Sequence, residues 1–174
     1  GAAHIGELYR LVPEEESRAT LAAAWDRGIR YYDTAPWYGR GLAEHRMGGF
    51  LRTQPRDQFQ VTTKVGRTLH RPADPATFDR GPWTGGLNFE VHFDYSYDGT
   101  MRSIEDSLQR MGTDRMDICF IHDIDRATRG ADQPKVFEEA MDGCWRALSA
   151  LRDQGVLTAI GVGVNEWEVC HAAL

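Results

Sequence analysis

Apolar positions along the chain alternate between two spacings. After Pro13, a run of three glutamates opens a stretch in which Leu21, Ala24 and Trp25 recur at helical intervals until Gly28. The pattern predicts a helix whose acidic first turn suits the helix dipole. Ile29 to Asp33 is then a short β-branched and aromatic run that ends in the Pro- and Gly-rich segment Thr34 to Gly41, which reads as a strand entering a loop. Helix and strand patterns continue in turn. A helix is expected from Ala43 to Leu51, a loop at Gln54-Pro55 and a strand from Phe59 to Lys64. Further on come a helix from about Tyr97 to Met111, a strand from Met116 to Ile121, a helix from about Val136 to Gln154, a strand from Thr158 to Val164, and a helix from Glu166 onward. Ala2 to Ile5 reads as a partial first strand.

Short strands separated by longer helices point to successive βαβ units and a parallel sheet, because parallel neighbours need a crossover connection. An open doubly wound sheet would carry a dinucleotide-binding glycine fingerprint after its first strand. None stands there. Gly39-Arg40-Gly41 lacks the third glycine, and Gly161-Val162-Gly163 lies within a strand pattern. The expected architecture is therefore α/β, a closed (β/α)₈ barrel of which residues 1–174 form one incomplete domain with about the first five strands. Gly66 to Phe93 resists the scheme. It holds Pro72, Pro75, Pro82, Gly81, Gly85 and Gly86 together with Trp83 and Phe89, which fits a lid over a site or a packed excursion of the chain.

Composition narrows the function classes. At 174 residues and 41% hydrophobic content the chain can bury a sizeable core. A net charge of −6, with no cluster of Lys and Arg, argues against nucleic acid and against an acidic lipid surface. No apolar run approaches the ~18 residues of a membrane span. Cys119, Cys144 and Cys170 are odd in number and widely spaced, so neither a disulfide framework nor a zinc knuckle is expected, and a cytoplasmic setting fits.

The candidate chemistry lies where apolar strands stop. Asp33, Lys64 and His122 each follow such a run, and in a parallel barrel every strand's C-terminal end opens on one face. Each residue alone also has a plain explanation: Asp33 as a turn or cap, Lys64 as a snorkelling strand end, His122 as a satisfied core residue. Tyr38, five residues past Asp33 in the adjoining loop, makes the set harder to dismiss. An unperturbed tyrosine has a pKa of about 10, too high for efficient proton exchange near neutrality. A lysine cation favours the phenolate, and a carboxylate keeps that cation charged against burial. His122 could then orient a substrate oxygen or assist the proton step. No side chain here can accept a hydride, so redox chemistry would require a bound cofactor.

Tyr31-Tyr32-Asp33-Thr34-Ala35-Pro36-Trp37-Tyr38-Gly39, Val61-Thr62-Thr63-Lys64 and Ile121-His122-Asp123 resemble three signature regions of the aldo-keto reductases, in order and across nearly the whole chain. The resemblance implies that Tyr38 is the general acid or base, that Asp33 and Lys64 tune it, and that His122 completes a tetrad. It implies NAD or NADP lying extended across the rim, with Asp33 and Asn165 among its contacts. Phe93 to Gly99, Arg102 to Leu108, His122 to Asp125 and Val164 to Trp167 resemble the aldose dehydrogenase group. That group includes L-fucose, D-threo-aldose 1- and pyridoxal 4-dehydrogenases. A sugar lactol, alcohol or pyridoxal-like aldehyde becomes the expected substrate, with Trp37 and His122 beside it; Trp37 as a loop anchor is an equal alternative. A complete barrel commonly has about 250 residues, so the chain is expected to be an N-terminal fragment whose activity on its own is doubtful. Its open strand edges would invite pairing with another copy.

Two other readings remain. A metal-dependent hydrolase could draw ligands from His122, Asp123 and Asp125, with His92 and Asp94; the expectation is no metal. A non-catalytic member could keep the barrel and cofactor without the reaction.

Overall fold

A computed structural model describes residues 1–173. Helix α1 (Glu14–Asp26) starts after Pro13 with three glutamates in its first turn and buries Leu21. It leads to strand β1 (Tyr31–Asp33), helix α2 (Leu42–Leu51) and strand β2 (Gln60–Val65). A hairpin of β3 (Arg67–His70) and β4 (Glu90–Phe93) comes next. The amphipathic helix α3 (Tyr97–Met111) follows, capped by the Ser96 hydroxyl accepting from the Gly99 N–H at 3.0 Å. After β5 (Ile118–His122) come a short α4 (Arg126–Arg129) and a helix that runs through α5 (Gln133–Ala140), a wider π turn (Met141–Trp145) and α6 (Arg146–Asp153). Strand β6 (Ala159–Gly163) and helix α7 (Trp167–Ala172) complete the order.

The strands β1-β2-β5-β6 form one four-stranded sheet with every pair parallel. Helices cover one of its faces. Tyr32, Val61, Cys119 and Ile121 point into that layer and join Met47, Phe50, Ile104, Met111 and Leu148 in one continuous core. Residues one position away point to the other face, as the two-residue period of a strand requires. By that parity Asp33, Lys64 and His122 share the uncovered face.

Ala2 to Ile5 is not a strand. His4–Gly6 forms one 3₁₀ turn that buries Ile5. Gly6 lies so close to the Tyr38 and Gly39 backbone that a Cβ would sit 2.7 Å from the Tyr38 carbonyl carbon, and the segment turns over that loop instead of pairing at the sheet edge. The parallel strands are thus four among the described residues, where five were expected. Residues Gly66 to Phe93 contain the β3–β4 hairpin, and the connecting residues 71–89 pack onto the molecule. Trp83 is 2% exposed there, and its Leu8 bridge holds the tract against the N-terminal segment.

Candidate active site

The site is assembled from strand ends. The registers place Asp33 opposite Thr62, Lys64 opposite Phe120 and His122 opposite Gly163, so these three side chains emerge from the same edge of one face. Gly163 brings no side chain, and the Lys64 methylenes lie over it. The Lys64 Nζ donates to Asp33 Oδ1 at 2.8 Å and to the Thr34 carbonyl at 2.8 Å. It stands 4.7 Å from the centre of the Tyr38 ring. On another side of that ring lies His122, edge-on with centres 5.9 Å apart. Carboxylate, ammonium, phenol and imidazole therefore lie together at one end of the sheet.

Several elements fix His122. The Tyr95 hydroxyl donates to the His122 carbonyl at 2.8 Å, while the Tyr95 carbonyl accepts from the Cys144 N–H at 3.0 Å. The π turn brings this donor within reach. A helix outside the sheet is thus tied through Tyr95 to the strand end that bears the imidazole. Burial holds the His122 pKa well below the ordinary histidine range, and the positive charges of Arg67 and Lys64 push it further down. Both effects favour the neutral ring.

Arg67 was not among the residues singled out from the sequence. It follows Gly66, whose φ of +98° and close contact with the Tyr95 ring exclude a side chain at that turn. The turn places Arg67 beside the site, with Nη1 2.8 Å from His122 Nδ1 and Nη2 donating to Asp123 Oδ2 at 2.7 Å. A basic residue three positions after a strand-end lysine was the available signal, but the turn that aims it is not visible in the pattern. Trp83 stood only within a tract read as a lid or a packed excursion. Its ring centre lies 5.4 Å from that of Trp37 and 6.0 Å from that of Tyr38, so Trp83 packs against both. Arg40 secures this tract by donating to the carbonyls of Arg80 at 3.2 Å and Phe89 at 2.9 Å.

Trp37 packs against Trp83 and lines a cleft of about 630 Å³ with Arg40, Arg67, Phe93 and Asp123. Asn165 lies just beyond β6. Its backbone N–H and side-chain amide donate to Asp125 Oδ2 at 2.5 and 3.1 Å, and the buried Asp125 also accepts from the Thr128 N–H at 3.0 Å. Asp125 thus orients the amide. These hydrogen bonds lower the Asp125 pKa despite the opposing effect of desolvation. Among the described residues no group of three or more His, Cys, Asp or Glu side chains could hold a metal. Asp123 and Asp125, named for the hydrolase reading, are committed to Arg67 and to Asn165 and Thr128.

The defining sequence pattern of the Aldo/keto reductase family matches residues 1–174. The chain belongs to the aldo/keto reductase family. It is 43% identical to pyridoxal 4-dehydrogenase of Microbacterium luteolum, covering 100% of this chain and 53% of that protein. Against D-threo-aldose 1-dehydrogenase of a Pseudomonas species it is 42% identical, over 94% of this chain and 48% of the relative. The chain spans about half the length of these curated relatives. A solved chain from Pseudomonas aeruginosa assigned to the aldo-keto reductases superposes with a TM-score of 0.69 at 31% identity, covering 98% of this chain and 57% of that one. The four parallel strands and their helices are accordingly part of a (β/α)₈ barrel, and the strand ends bearing Asp33, Lys64 and His122 belong to the face on which such barrels place active sites.

Proposed function

We propose that residues 1–174 form one incomplete aldo/keto reductase barrel domain carrying the proton-transfer pocket of a nicotinamide-dependent oxidoreductase. Its substrate would be an aldose lactol, a related alcohol, or a pyridoxal-like aldehyde. The observation that supports this most directly is the position of Lys64. Its ammonium is held by Asp33 and the Thr34 carbonyl and faces the Tyr38 ring. Fixed positive charge beside a phenol stabilises negative charge as it develops on the phenol oxygen, and it requires no reorganisation during the reaction. Tyr38 then takes the hydroxyl proton from an alcohol undergoing oxidation, or returns it to a carbonyl oxygen in the reverse direction. A neutral His122 donates a hydrogen bond to that same oxygen. Trp83 packs against the Tyr38 ring, backed by Trp37, and would limit the access of water there.

NAD or NADP would supply the hydride acceptor. The donor set fits a nicotinamide, because Asn165 presents an amide beyond β6, oriented by Asp125, and such a group can pair with a carboxamide. Asp33 lies near the expected course of the cofactor along the same rim. The relatives' names point to aldoses and pyridoxal as the substrates to try first. Free Cys119, Cys144 and Cys170 suit the reducing cytoplasm, and no helix among the described residues is long and apolar enough to cross a membrane. The open edges of β1 and β6 are where further barrel strands, or a second copy, would pair.

The test is Tyr38→Phe in the full-length protein, following nicotinamide absorbance with a panel of aldoses and pyridoxal under both NAD and NADP. Turnover should fall at least the ~10²-fold typical of a lost general acid-base group, with cofactor affinity retained. Unchanged turnover would remove Tyr38 from the chemistry.

A further inference from the structure

We infer that Arg67 is a positioning residue that holds His122 as the neutral imidazole protonated on Nε2, with that N–H directed to the substrate oxygen. This rests on the oxidoreductase reading for its purpose and on geometry for its content. Guanidinium nitrogens are donors only and stay protonated in proteins. With Arg67 Nη1 2.8 Å from His122 Nδ1, the ring nitrogen must accept. A proton on Nδ1 would set two N–H groups head to head and two cations in contact. The single proton of the neutral ring therefore sits on Nε2. Asp123 Oδ2, 3.5 Å from Nε2, is too distant for a good hydrogen bond, and this donor remains free for substrate.

Arg67 is itself held on every side. Its second arm donates to Asp123 at 2.7 Å, a contact that relies on Asp123 adopting a φ of +51° immediately after His122. The guanidinium lies over the rings of Trp37, at 5.2 Å, and Phe93, at 4.8 Å. Its carbonyl accepts from the Ser103 hydroxyl at 3.1 Å. A side chain so completely fastened and only 4% exposed has one geometry to offer the imidazole. The charged and titratable groups facing that imidazole are Arg67, Lys64, Asp123 and Tyr38. Lys64 and Arg67 oppose its protonation; Asp123 favours it, but its charge is engaged by Arg67. Removing Arg67 therefore acts twice, freeing Nδ1 for a proton and releasing Asp123 to attract one.

The deciding measurement is nitrogen-15 NMR of the histidine rings in the full-length protein, which reads the tautomer without turnover. Wild type should show His122 with Nε2 protonated and Nδ1 bare from about pH 5.5 to 8, a window that spans the ordinary histidine pKa. In Arg67→Met the ring should become a tautomer mixture or imidazolium near neutrality. kcat should then fall at least ~10-fold, with little change in cofactor KM and a new acidic limb in the pH profile. Arg67→Lys, which keeps a cationic donor, should restore part of the wild-type pattern. A proton on Nδ1 in wild type, or an unaltered His122 signal in a folded Arg67→Met, overturns the inference. Should the methionine variant not fold, the wild-type and lysine spectra still decide. Because Tyr38→Phe tests the oxidoreductase reading separately, failure of one does not imply failure of the other.

Discussion

Breaking the Asp33–Lys64 pair gives a sharp energetic test of the pocket. The Lys64 side chain is 7% exposed and that of Asp33 22%, so the ammonium is the more deeply desolvated partner. Deleting one member of a buried pair typically costs about 3–5 kcal/mol. Asp33→Ala leaves Lys64 with the Thr34 carbonyl as its remaining partner, and water reaching the vacated position offsets part of the loss. The expected cost is about 2–4 kcal/mol. Lys64→Met keeps the apolar stem over Gly163 and removes the charge, leaving a carboxylate that already touches solvent; about 1–2 kcal/mol is expected. In the double variant neither charge remains. Its stability should lie close to that of Lys64→Met, so the coupling equals the Asp33→Ala cost, about 2–4 kcal/mol. Urea unfolding of the four full-length proteins under reducing conditions measures the cycle. If the two single costs add within about 0.5 kcal/mol, the pair is not the electrostatic unit described.

His122 and Trp83 make further tests. The folded His122 pKa is depressed, so between that value and the unfolded value of about 6.5 the unfolded chain binds more protons. Stability should fall as pH drops below about 6.5, and His122→Asn should flatten this part of the profile; an unchanged slope would contradict a buried neutral ring. Trp83→Ala removes the side chain packed between the Trp37 and Tyr38 rings and should cost about 3–5 kcal/mol, with residues 71–89 becoming the first site of limited proteolysis. Resistance of that tract equal to wild type would show that Trp83 does not anchor it.

Period and punctuation in the chain were enough to read α1, α2, α3, the parallel strands and the single long helix interrupted by a π turn, because each buries one regular stripe and each is bounded by local signals. They also named Asp33, Lys64 and His122, since a polar residue ending an apolar strand has its face fixed by the alternation of the strand itself; Tyr38, in the loop after β1, joined them by its spacing from Asp33. The 3₁₀ turn at His4–Gly6 was read as a strand because a few apolar residues cannot declare whether a neighbour will pair with them; Gly6 against the Tyr38 backbone decided otherwise. Arg67 depended on a turn through Gly66 and on a left-handed Asp123, neither of which has a periodic signature. Trp83 lies far along the chain from Trp37 and Tyr38, and only the return of the β3–β4 hairpin brings them together. The sequence determines which groups can stand on the inner face, through local sterics and period. Tertiary structure decides which of them touch, because contact between distant segments depends on turns whose geometry is settled by what they pack against.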